Sequence, residues 1–175
     1  MKKLWIALAT LLATVGVMTL HPQKVDAASY GNLGEYTTPV ELRGTWYYRQ
    51  VDPMTNKLSK KIYKLRVLAH TIEDANEFGY VYVNDENSVG DFLKMTSEER
   101  KQAEYATKGW VRGQRVMHDG INYLNIKGWF QSSGSGEYYG FTMKKKNGKM
   151  VPAVRIAHGA GFWVTGYAYR SKDLA

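Results

Sequence analysis

The chain has 175 residues, no cysteine, and 24 Lys and Arg against 16 Asp and Glu, for a net charge of +8. Without cysteine there is no disulfide, no thiol nucleophile and no thiolate metal site, so stability has to come from a packed core. The length suits one domain with a single sizeable core.

In chain order, the first residues have the pattern of a secretory leader. Lys2 and Lys3 precede an uncharged, mostly apolar run, Leu4 to Leu20. At 17 residues that run is shorter than the roughly 20 needed to span a bilayer. Val25-Asp26-Ala27 then places small or β-branched residues at −3 and −1, which predicts cleavage after Ala27. An uncleaved anchor is the alternative. The expected organisation is a leader over 1–27, a flexible, period-free lead-in over 28–39 and one β domain over 40–175.

Within that domain strand signals dominate. Leu42–Gln50 is short and aromatic-rich, and Asp52–Lys57 reads as a turn. Lys61–Thr71 alternates, with Tyr63, Leu65, Val67 and Ala69 on one face. A turn is expected over Asp74–Gly79 and a third strand over Tyr80–Asn84. Thr96–Thr107 is rich in helix formers, and Thr96 with Glu99 has the spacing of a capping box, so a short helix is expected there. Trp110–His118 and Ile121–Phe130 are joined by Asp119-Gly120. Glu137–Lys146 and Lys149–Ala157 are joined by Asn147-Gly148. Both dipeptides suit type I′ hairpin turns. Phe162–Ser171 closes the series. The fold predicted is all-β with one short helix: an eight-stranded antiparallel meander, barrel-like, with a sandwich as the competing arrangement. Alternating connections put Asp74–Gly79, Asp119-Gly120 and Asn147-Gly148 at one end. The longer connections, including the helical one, fall at the other, which is the expected mouth.

Charge is uneven. Glu73–Glu104 holds nine acids and three bases, whereas Tyr105–Ala175 holds eleven bases and three acids. A basic face outside a cell fits anionic wall polymers or lipid headgroups, and equally serves solubility and the protection of sheet edges. Lys144, Lys145, Lys146 and Lys149 surround one hairpin tip, either as a phosphate-polymer site or as a solvated tip. Nucleic acid is not an expected partner.

Aromatic residues supply the other lead. Trp129, Phe130, Tyr138, Tyr139, Phe162 and Trp163 flank two glycine-rich loops, 131–136 and 158–161, near the expected mouth. They suit sugar rings or amphipathic ligands, and they equally suit core packing. His70, His118 and His158 lack metal-ligand spacing, and Ser133-Gly134-Ser135-Gly136 lacks the context of a nucleophile elbow. Glu137 stands near the mouth with no second acid evident beside it. No catalytic residue, cofactor or metal is therefore expected.

Gly44-Thr45-Trp46 early in the first strand, with Arg170 at the end of the last, resembles the Gly-x-Trp element and closing arginine of the lipocalin/calycin group. That resemblance implies a barrel whose floor is closed by Arg170 packed over Trp46. The leader, Leu42–Tyr47 and Gly128–Tyr139 resemble small exported proteins of lactic acid bacteria, which implies export from a Gram-positive cell and supplies no mechanism. The function expected is a secreted, non-enzymatic binding protein for a small amphipathic or glycan ligand at the envelope. The alternatives are an envelope-associated interaction module without a pocket, and a small cell-wall hydrolase. An open cavity favours the first, a filled interior the second, and ionisable groups converging in a cleft the third.

Overall fold

The computed structural model describes residues 30–52, 55, 57–75 and 77–175; the leader expected over 1–27 and its expected cleavage point lie outside them. The chain is mainly β. Ten strands lie in one sheet: β1 (Asn32–Glu35), β2 (Gly44–Tyr48), β3 (Tyr63–Val67), β4 (Thr71–Asp74), β5 (Glu77–Asn84), β6 (Trp110–His118), β7 (Ile121–Gly128), β8 (Glu137–Lys146), β9 (Lys149–His158) and β10 (Trp163–Tyr169). Two helices, α1 (Ser88–Lys94) and α2 (Ser97–Ala106), lie between β5 and β6. The expected count of eight strands is therefore corrected to ten.

The order β5-β4-β3-β2-β10-β9-β8-β7-β6 returns to β5, so hydrogen bonding runs around a closed ring of nine strands. The tenth, β1, continues along the edge of β5 beyond β4, pairing with Asn84 and Tyr82. It arises from the segment expected to be a period-free lead-in.

Two differences from the meander matter for the site. The long strand expected over Lys61–Thr71 folds back at Leu68–His70, where the Leu68 amide donates to Thr71 O (2.9 Å), giving β3 and β4. The other is that β5 and β6 run parallel, with Tyr80 beside Trp110 and Tyr82 beside Arg112. A parallel pair needs a crossover, and the segment carrying α1 and α2 is that crossover. The extra strand reverses the direction of β5 relative to a simple meander, and the crossover restores it for β6. The connection after β4 thus joins the β2–β3, β7–β8 and β9–β10 loops at one end. The Asp119-Gly120 and Asn147-Gly148 turns lie at the other, from which the helices depart.

Local signals act where the chemistry is strong. Thr96 Oγ1 accepts from the Glu99 amide (3.3 Å) while the Glu99 carboxylate accepts from the Thr96 amide (2.7 Å), completing the capping box of α2. Asp119 and Gly120 have φ of 48° and 72°, and Asn147 and Gly148 have 49° and 79°, as type I′ turns require.

Strand alternation sorts side chains to the two faces of the ring. Inside lie Trp46, Leu65, Val67, Ile72, Val81, Leu124, Tyr139, Val154, Ile156 and Ala168, all buried in one cluster. Trp46 is the largest fully buried side chain, and its Nε1 donates to Leu42 O (2.6 Å). The Arg170 guanidinium carbon lies 3.5 Å from the Trp46 ring centroid, and its Nη2 donates to Arg43 O (2.8 Å). Gly44 makes room for this lid: its φ is 113°, and a Cβ there would lie 2.2 Å from Arg170 Nη1. Gly44→Ala should therefore cost about 2 kcal/mol through backbone strain and displacement of the arginine. Urea denaturation checks this, and an unchanged midpoint would contradict it.

Candidate functional site

At the end opposite Trp46 and Arg170 the ring is not filled. A cavity of about 400 Å³ opens there, lined by side chains from β2, β4, β5, β8, β9 and β10 and their connections. Its chemistry is acidic. Asp74, Glu77 and Glu137 line it with His158, Tyr48, Tyr139, Gln50 and Thr165, and neither Lys nor Arg contributes.

The register explains how the acids meet. Asp74 and Glu77 are partners across the β4–β5 hairpin. Glu137 opens β8 opposite His158, the last residue of β9. Like charges placed directly across a hairpin repel, so this arrangement is not one that folding alone favours.

Asp74 is held by two phenols. Tyr48 Oη donates to Oδ1 (2.5 Å) and Tyr139 Oη donates to Oδ2 (2.8 Å). Both tyrosines are almost fully buried. Burial pushes the Asp74 carboxyl above its ordinary value; the two phenol hydrogen bonds act the other way, and the Glu77 charge adds to the rise. Tyr48 and Tyr139 are pushed up first by burial and then by the neighbouring Asp74 charge, so both remain protonated donors. Glu137 stands at the rim, open to solvent on one side. Desolvation on its other side raises its carboxyl, His158 partly offsets this, and Asp74 and Glu77 add to the rise.

The aromatic residues expected at the mouth do not gather there. Of the six, Tyr139 alone lines the cavity. Tyr138, one residue away, faces outward into a second cluster with Tyr123, Ala157 and Phe162. Phe162 folds over that outer face and stacks on His118 at 3.9 Å. Trp129 is buried outside the ring, edge-on to Trp110 and Tyr82, with its Nε1 donating to Tyr30 O (3.1 Å). Phe130 stacks on Phe92 of α1 at 4.0 Å. Trp163 is 63% exposed and edge-on to His158, at the outer lip. The six are therefore spread over five places and form no single aromatic platform.

The chain matches no protein-family model, no curated protein and no solved structure. What the site does has to be argued from its own chemistry.

Sequence reasoning took Asp74 for a turn residue and left Glu137 without a partner. A signal was present: Ile72 and Asp74 share one face of a short strand, and an acid on the inward face of a strand is rarely there for packing. The four lysines of the β8–β9 tip lie at the far end from the cavity. Lys145 and Lys149 are exposed, whereas Lys144 and Lys146 lean back over Tyr167 and Tyr169. Among the described residues no group of three His, Asp or Glu side chains could hold a metal ion.

Proposed function

We propose that this is a secreted, non-enzymatic binding protein whose closed sheet acts as a barrel, holding a small hydroxylated, positively charged ligand in its open end. An amino sugar with a free amine is the ligand class that meets both demands. The observation carrying this reading is the cavity itself: three carboxylates, one histidine and no Lys or Arg, in a molecule of net positive charge. Partly buried carboxylates without a cationic partner destabilise a fold, and a bound ammonium group would offset that cost. Tyr48, Gln50 and Thr165 add hydroxyl and amide groups for the polar edge of a sugar, and Val51, Ala75 and Ile156 add apolar surface for its ring faces. The lipocalin/calycin resemblance supports the same use of the open end.

Titration calorimetry with glucosamine oligomers and their N-acetylated counterparts tests this. At neutral pH the amines should bind and the acetylated sugars should not; equal binding of both would refute a cation site. The pH dependence has a definite sign. Because the native Glu137 carboxyl is raised, the folded chain keeps a proton that the unfolded chain has already released. Stability without ligand should therefore fall as pH rises through that window, while affinity for the amine should rise. Glu137→Gln should make both profiles shallower, the remaining slope coming from Asp74. Thermal melts and calorimetry from pH 4 to 7 read the two effects, and profiles unchanged in the variant would contradict the assignment.

A second reading is favoured by one observation, that the carboxyls of Asp74 and Glu137 line one cleft. Two such carboxyls are the equipment of a glycoside hydrolase. Turnover of wall oligosaccharides, lost in Glu137→Gln, would establish it over simple binding.

A further inference from the structure

The outer face of the ring on the side away from the helices carries an organised array of charge. Lys144 Nζ lies 4.2 Å from the Tyr167 ring centroid, Lys146 Nζ 5.0 Å from that of Tyr169, and Lys172 Nζ 5.3 Å from that of Tyr47. Tyr169 and Tyr47 are register partners across β10 and β2, so the three tyrosines form one connected patch. Ala153 of β9 lies beside Tyr169 and is fully buried although its register places it on the outer face, so the neighbouring side chains cover it. A shallow groove of about 180 Å³ runs alongside, lined by Arg49, Lys146, Tyr167 and Tyr169 among others.

On the strands of this face the one acid is Glu137 of β8, which lines the cavity instead, and Asp173 follows Lys172 in the chain. Tyr138 to Lys172 contains seven Lys and Arg and no Asp or Glu, and Leu42 to Val51 contains two Arg and no acid. Among the described residues Lys144, Lys146 and Lys172 are in no ion pair. Resting on ring faces, they hold their ammonium groups in fixed directions while leaving them in water.

We infer that this face is a docking track for a linear phosphodiester polymer with a polyol repeat. Successive phosphates lie on Lys144, Lys146 and Lys172, and the hydroxylated links lie on the tyrosine rings and in the groove. The occupant is a polymer rather than a bilayer. Tyr169 is buried and Tyr47 and Tyr167 are half-buried, so none of the three offers the protruding apolar anchor that interfacial insertion needs. The track is on the outside of the ring, and the acidic cavity lies within its open end, so the inference stands independently of the mouth ligand.

The probe is poly(glycerol phosphate), titrated into the full domain by calorimetry at several salt concentrations. Dextran of matched length and phosphatidylglycerol vesicles are the comparison arms. The polymer should bind, dextran should not, and the vesicles should bind more weakly than the polymer. The triple variant K144Q/K146Q/K172Q should weaken binding by about tenfold or more and reduce the slope of log K against log salt by about two. The double variant K145Q/K149Q, which removes tip lysines not seated on these tyrosines, should change affinity by less than about threefold. Near-ultraviolet circular dichroism confirms that each variant is folded; these lysines are solvent-accessible, and a second triple variant with arginine at the same positions should retain binding. No binding of the polymer, equal losses in the triple and double variants, or preferential binding to the vesicles would each overturn the inference.

Discussion

Trp46→Ala is expected to lower the unfolding free energy by about 4 kcal/mol in urea denaturation, the upper part of the range for a buried aromatic removed from a packed core. Four separate losses add to that cost. The ring belongs to the inner cluster with no exposure to solvent, so its removal leaves a cavity among Leu65, Val67 and their neighbours. Leu42 O loses the donor that reached it at 2.6 Å, and Leu42 is itself fully buried. Arg170 loses the indole face on which it rests, and the edge contact with Phe141 at 6.4 Å is gone. A domain of this size is stable by only about 5 to 15 kcal/mol, so one substitution removes a large share of the margin. Trp46→Phe keeps most of the volume and loses the N–H, and should cost about 2 kcal/mol. A loss below about 1.5 kcal/mol for Trp46→Ala would mean that the inner cluster is not the core of the fold.

The double substitution Tyr48→Phe with Tyr139→Phe is expected to cost about 3 kcal/mol at neutral pH. Each phenol donates a hydrogen bond to the Asp74 carboxylate, and bonds to a charged group contribute about 1.5 to 3 kcal/mol. The two share one acceptor, so their effects will not simply add. The pH dependence separates this from a packing defect. Burial already raises Asp74, and removing both donors raises it further. In the window between the unfolded and the native carboxyl values the folded chain binds the extra proton, so stability falls as pH rises through that window. The deficit of the double variant should therefore be largest near pH 7 and shrink as the pH is lowered and Asp74 takes a proton. Urea denaturation at pH 4 and pH 7 measures both values, and a deficit independent of pH would contradict the charge-assisted account.

The fold was legible where local chemistry is decisive. Asp119-Gly120 and Asn147-Gly148 placed two hairpins to the residue, because few other dipeptides adopt positive φ at both positions. Thr96 and Glu99 placed the start of α2 for the same kind of reason. The reversal at Leu68-Ala69-His70 carries no glycine, proline or Asx signal, and the alternation from Tyr63 runs straight through it. One strand was therefore read where there are two. The helix α1 contains Gly90 and Val89, which hide it from propensity; it is held by tertiary contact, such as Phe92 on Phe130. Parallel pairing of β5 with β6 is a long-range event that no local pattern reports.

These misreadings decide what was visible of the site. Tyr138 and Tyr139 were recognisable as facing opposite ways, but not which of them faces in. With β4 merged into β3, Asp74 became a turn residue, and the acid that would have completed a pair with Glu137 disappeared from view. The aromatics at Trp129, Phe130 and Phe162 lie at or beyond the ends of strands, where alternation no longer applies. They turn outward to cover Trp110, Phe92 and Tyr123.

The central claim, an acidic cavity that takes a cationic ligand, is tested most directly by mapping the ligand onto the backbone. Amide chemical shifts of the isotopically labelled domain are followed by nuclear magnetic resonance during titration with glucosamine oligomers at pH 7. The account predicts saturable shifts centred on Tyr48 to Val51, Asp74 to Glu77, Glu137 to Tyr139 and His158, absent with the N-acetylated sugar and weakened in Glu137→Gln. No shift, shifts centred on the outer clusters around Trp129 or Phe162, or the same shifts with both sugars would contradict it.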